Sequence, residues 1–109
     1  MHIGVVGGLE RVESVLQTMG ALAGHQVEFH RGHVQGGSQS LAALVDRCDL
    51  VIIVTDVNSH GAVQLTKRLC RRRGQTPLVV RNCGPARFER ILEAIETRDA
   101  TAQGAGASC

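Results

Sequence analysis

Apolar and polar positions fall in short blocks along this chain, and their period changes from block to block. His2-Ile3-Gly4-Val5-Val6 is brief and nearly all apolar, which marks a buried strand. Gly7-Gly8 then turns the chain. From Leu9 to Ala23 the period becomes helical, with Leu9, Val12, Leu16, Met19 and Leu22 on one face. Gly20 falls inside that run and is expected to weaken its last turn, and Gly24 to stop it. Gln26-Val27-Glu28-Phe29-His30 alternates and predicts a strand with one apolar face. Arg31 to Gly37 holds three glycines and predicts a loop. Ser38 or Ser40 caps a short second helix through Cys48, with Leu41, Leu44 and Val45 turned inward.

Asp49 to Thr55 is the clearest strand. A third helix is expected from about Ser59 to Arg73, ended by Gly74. Pro77 to Arg81 predicts a fourth strand. Gly84-Pro85 opens a fourth helix, because proline suits a first helical turn, and Phe88, Ile91, Leu92 and Ile95 form its stripe. Residues 1–98 thus read as one α/β domain. Residues 99–109 are small, polar and glycine-containing and read as a flexible C-terminal tail.

Strand and helix alternate four times. Right-handed crossovers then imply a small four-stranded parallel sheet in a Rossmann- or flavodoxin-like three-layer sandwich, with strand order 2-1-3-4. In such sheets ligands bind at the carboxyl ends of the strands, where the order reverses. That edge gathers Gly7-Gly8, His30 and His33, the segment Thr55 to His60, and Arg81, Asn82 and Cys83. His2 and His25 begin strands and belong to the opposite rim.

Composition narrows the function. The 109 residues carry a net charge of +2, too little for a nucleic-acid field, and 43% are hydrophobic, as in an ordinary globular chain. Trp and Tyr are absent and only Phe29 and Phe88 are aromatic, which removes a base-stacking surface. No apolar run approaches a membrane span and the N-terminus lacks a secretory pattern, so a cytoplasmic protein is expected. Cys48, Cys70, Cys83 and Cys109 have no C-x-x-C spacing and read as free thiols. Lys67 to Arg73 is a basic run that suits the negative end of helix three, so nucleic acid is not an expected partner.

Three chemical features remain. Gly7-Gly8 before a helix resembles an anion cradle, yet the full G-x-G-x-x-G pattern is absent and His30 stands where a ribose-binding acid is expected. His30-Arg31-Gly32-His33 is an H-x-x-H in a loop. His60 opens helix three, where the dipole favours the neutral imidazole that binds metals. Ser59 and His60, being adjacent on a helix turn, point apart and make a poor hydrolytic pair even with Asp56 nearby. Cys83 on the same rim is a soft ligand or a reactive thiol.

The chain resembles a bacterial domain-of-unknown-function family, number 2325. The likeness covers about residues 3–95. It rests on Val5-Val6-Gly7-Gly8, Phe29-His30-Arg31-Gly32, Cys48-Asp49-Leu50-Val51-Ile52 leading to Thr55-Asp56 and Ser59-His60, Lys67-Arg68-Leu69-Cys70-Arg71, and Arg81. Some members are associated with haem and gas binding. The resemblance therefore implies haem b held by histidine, at His30 and His60; on this rim His60 is favoured as the axial ligand, with His33 and His30 as the next candidates or as distal groups. Many relatives carry Cys-Val before Ser-His, where this chain has Val57-Asn58, so ligation here falls to histidine. Arg31, Arg81 and the start of helix one would face the propionates. A chain this small is expected to close over haem as a homodimer, serving as a sensor, carrier or store for oxygen or another diatomic gas rather than as an enzyme. The alternatives are zinc or another divalent metal on His60, His33 and His30 with Cys83 or Asp56 completing the site, an anion- or nucleotide-binding domain using Gly7 and Gly8, and a pure interaction module.

Overall fold

The computed structural model describes residues 1–32 and 39–108, with side chains described as far as Thr97. Strands β1 (His2–Val6), β2 (Gln26–His30), β3 (Leu50–Val54) and β4 (Leu78–Val80) form one parallel sheet in the order β2-β1-β3-β4. Helices α1 (Glu13–Leu22), α2 (Gln39–Arg47), α3 (His60–Arg72) and α4 (Pro85–Ser108) connect and cover it. The expected α/β fold and strand order are both present.

The sheet's alternation sorts the core into two halves. Ile3, Val5, Val27, Ile52 and Val54 pack with Leu16 of α1 and Phe88, Leu92 and Ile95 of α4. Val6, Val51 and Ile53 pack with Leu41, Leu44, Val45 and Cys48 around α2, and with Val63 and Cys70 of α3. The chain moves outward through α1 on one face, then reverses through α2 and α3 on the other. That reversal places a switch point between β1 and β3.

Several local expectations change. Glu10–Val12 forms a 3-10 turn before α1, and Leu9 and Leu22 are 44% and 84% exposed. The inward stripe is therefore shorter than the periodicity suggests, and Leu16 is its buried centre. Gly20 is a contact rather than a weakness. A Cβ there would come within 2.3 Å of Val27 Cγ2, so the glycine lets α1 lie close on β2. Ser38 lies outside the described residues, while Ser40 stands inside α2 instead of capping it. α4 is assigned over Pro85–Ser108.

Candidate functional site at the carboxyl edge of the sheet

Asn58 organises the junction between β1, β3 and α3. Its Nδ2 donates to Val6 O at 3.1 Å and Val54 O at 2.8 Å, the last carbonyls of two neighbouring strands. Its Oδ1 accepts from Ser59 N at 2.9 Å. Ser59 caps α3: its Oγ accepts from Ala62 N at 3.1 Å and donates to Gly32 O at 2.8 Å. Two side chains thus tie the ends of three strands to one helix start. Sequence reasoning missed Asn58 as a hub, since a polar residue between strand and helix reads as an ordinary cap.

Gly7, Gly8 and Gly32 all have positive φ, at 91°, 93° and 83°. Gly7 N donates to His30 O and Gly8 N to Val57 O, each at 2.7 Å. These amides, expected to cradle an anion, are spent on protein carbonyls and offer a phosphate nothing. The glycines serve close approach instead: a Cβ on Gly7 would meet the Asn58 amide, and one on Gly32 would meet Asn58 Oδ1.

Two adjoining hollows open on this edge and share Gly8, Leu9 and Val57. One, of about 320 Å³, lies toward β4 and is lined further by Arg11, Val12, Val54, Asp56 and Cys83. The other, of about 480 Å³, lies toward β2 and is lined further by Glu10, Arg31, Asn58 and Ser59. Both fall in the lower part of the roughly 300–1,000 Å³ typical of small-molecule sites. Leu9 and Val57, each 44% exposed, stand where the hollows meet and present apolar surface to solvent.

The predicted site residues divide. His60 is exposed at the first position of α3, directly after Ser59 of the second hollow. His30 turns from the hollows toward α2: Gly32 N donates to its Nδ1 at 3.0 Å, and its Nε2 meets Ser40 Oγ at 2.9 Å. With Nδ1 accepting, the ring proton sits on Nε2. His33 lies outside the described residues. Arg31 pairs with Glu10 at the mouth of the second hollow. Arg81 is 87% exposed and reaches Asp56 at 3.8 Å. Cys83 is buried against the first hollow, and burial pushes its thiol pKa up, away from a reactive thiolate. His30 and His60 belong to no group of three mutually close metal donors among the described residues.

No described helix is long and apolar enough to cross a membrane. No curated protein and no solved structure matches this chain. A family model described as an uncharacterized protein conserved in bacteria (DUF2325) matches residues 2–95. That match takes in all four strands and the edge built around Asn58, and the chain belongs to this bacterial family.

Proposed function

We propose that this protein binds haem at the carboxyl edge of its sheet and uses it to hold a diatomic gas, as a sensor, carrier or store. The observation that carries the reading is the position of His60. It is an exposed imidazole on the first turn of α3, next in the chain to Ser59, which lines the cleft together with the exposed apolar Leu9 and Val57; His60 itself lines neither hollow.

The residues suit the group in three respects. His60 offers a nitrogen ligand to iron. Leu9, Val12 and Val57 give apolar surface for a macrocycle, with buried Val54 behind them. Arg11, Arg31 and Arg81 stand around the same rim as partners for carboxylates, and Arg31 and Arg81 already pair with Glu10 and Asp56. Each hollow is small and open, so one face of a bound macrocycle would remain bare. A second copy of the chain covering that face gives the homodimer. Haem, once bound, supplies the iron on which a gas ligates. The chain's own part is to hold that iron through His60, to exclude water with Leu9 and Val57, and to fix the carboxylates.

A three-histidine metal site on this rim is less well supported, because both ring nitrogens of His30 have protein neighbours. An anion site on Gly7 and Gly8 is disfavoured by their spent amides.

The test is a haem titration followed in the visible range. Stoichiometric growth of a Soret band that shifts on reduction and again with carbon monoxide is the expected result, and His60→Ala loses it. A wild-type protein that yields no such band overturns the reading.

A further inference from the structure

We propose a second site, for a zinc-class divalent cation, at the opposite edge of the sheet, formed by His2 Nε2, Glu28 Oε2 and Cys48 Sγ. These three donors come from β1, β2 and the residue after α2, and all lie within 4.8 Å of one another. They are independent of the carboxyl-edge cleft and of its reading.

The fold brings them together for definite reasons. Parallel register sets His2 beside Gln26 and Gly4 beside Glu28, and side-chain alternation turns both His2 and Glu28 to the α2 face. Cys48 follows α2 and its sulfur sits over Gly4, where a Cβ would lie 2.7 Å from Sγ. Gly4 thus makes the room that lets the thiol reach the pair. His2 Nε2 already contacts Glu28 Oε2 at 3.0 Å. Arg47 holds the other oxygen, Oε1, through Nη2, and reaches Oε2 through Nε at 3.3 Å. Asp49 fixes the strand start by accepting from His2 N at 2.8 Å.

The donor set is that of a borderline cation. Zinc takes thiolate, imidazole and carboxylate in one tetrahedral shell with bonds of about 2.0–2.3 Å, which places donors roughly 3–4 Å apart. The present donors lie within 4.8 Å of one another, with His2 Nε2 and Glu28 Oε2 already 3.0 Å apart, so binding draws the wider pairs in toward that spacing. Cys48 is only 2% exposed, and its Sγ makes no hydrogen bond among the described residues. The side chains of His2 and Glu28 keep 21% and 31% of their exposure, which leaves a path for the ion and room for a water as fourth ligand. On binding, a metal–sulfur bond replaces the S–H bond and the proton leaves to solvent. The cation takes the place of the His2–Glu28 contact, and Arg47 keeps Oε1, acting as the outer partner that orients a ligating carboxylate.

Cobalt(II) titration of the full chain under a non-thiol reductant tests this. One equivalent should give a thiolate-to-cobalt charge-transfer band in the near ultraviolet, bleached by zinc. Cys48→Ala should remove the band, while His2→Gln and Glu28→Gln, at partly exposed positions, should weaken affinity by about tenfold or more. His60→Ala should leave the band unchanged. Circular dichroism of each variant separates lost binding from lost folding. Absence of the band in wild type, its survival in folded Cys48→Ala, or its loss in His60→Ala overturns the proposal.

Discussion

The side chain of Asn58 fills the space that any side chain at Gly32 would need. A Cβ on Gly32 would lie 2.1 Å from Asn58 Oδ1, and the glycine's φ of 83° is itself in the left-handed region. The Asn58 amide holds the ends of β1 and β3 and packs against the loop after β2, which Ser59 Oγ ties down through Gly32 O, at the edge of the cleft. Position and packing are coupled here through two residues 26 apart in the chain.

Gly32→Ala should therefore be far more costly than Gly74→Ala, although both positions have positive φ. Nothing lies within 4 Å of a Cβ at Gly74, so that variant bears only left-handed strain, about 1–2 kcal/mol. Gly32→Ala adds overpacking, for a total of roughly 2–5 kcal/mol. Asn58→Ala alone should cost about 1–3 kcal/mol by leaving Val6 and Val54 carbonyls unpaired. The double variant should be less destabilised than the sum of the two by about 1 kcal/mol or more, because the clash partner is gone. Urea unfolding of the four proteins checks this, and strict additivity would refute the coupling.

Acid stability should depend on Glu28. The Arg47 guanidinium hydrogen-bonded to it holds its carboxyl below the ordinary value of 4.5, against an opposing push from burial, with further lowering by the Arg47 charge and by His2. A depressed carboxylate contributes stability above its unfolded pKa and loses it as pH falls through the folded one. The urea midpoint should thus decline below about pH 4.5 in wild type. Glu28→Gln should show a shallower decline over the same window. Parallel curves for the two proteins would remove Glu28 as a source.

The architecture was largely legible in the sequence because hydrophobic period and chain direction are local or nearly local. Leu50–Val54 as a central strand, Ser59 before α3, and Pro85 at the first position of α4 all follow from short stretches. Leu9 and Leu22 misled, since periodicity does not reveal where a helix outruns the sheet beneath it. Gly20 misled for a related reason: its role depends on Val27, which lies on the next strand. That Gly7, Gly8, Arg31 and residues 55–60 meet at the carboxyl edge was legible, though not the geometry they adopt there. Adjacent His30 and Arg31 part company, one toward Ser40 and the other toward Glu10. His2, Glu28 and Cys48 are distant in sequence and meet only through parallel register and the return of α2.

His60 and His30 should behave differently toward haem. His60 is exposed and follows Ser59 of the second hollow, whereas His30 is held by Gly32 and Ser40. His60→Ala should therefore abolish the Soret band, and His30→Ala should chiefly disturb the loop and leave a ligated spectrum. Val57→Asp, which puts a charge where the two hollows meet, should weaken haem binding by about tenfold or more with the spectrum of the bound fraction retained. Equal losses in His60→Ala and His30→Ala would place both histidines on the iron. A lost band in His30→Ala alone would move the ligand to β2.

The thiols should report unfolding rather than surface chemistry. Cys48, Cys70 and Cys83 are all buried and free. Burial, reinforced by the nearby Glu28 charge, pushes Cys48 up to about 11, so at pH 8 roughly one such thiol in a thousand is ionised. Burial also raises Cys70 and Cys83, with Arg73 and Arg87 respectively opposing the shift. Since the thiolate is the nucleophile, an aromatic disulfide reagent should label these three slowly in the native protein and promptly in urea. Site-resolved mass spectrometry then orders their opening. Cys70 lies fully buried between α3 and the sheet and should be labelled with global unfolding. Cys83 borders the first hollow and should open earlier, and occupancy of that hollow by a ligand should slow it. Rapid native labelling at Cys83, unaffected by haem, would show that the loop between β4 and α4 opens independently of the cleft.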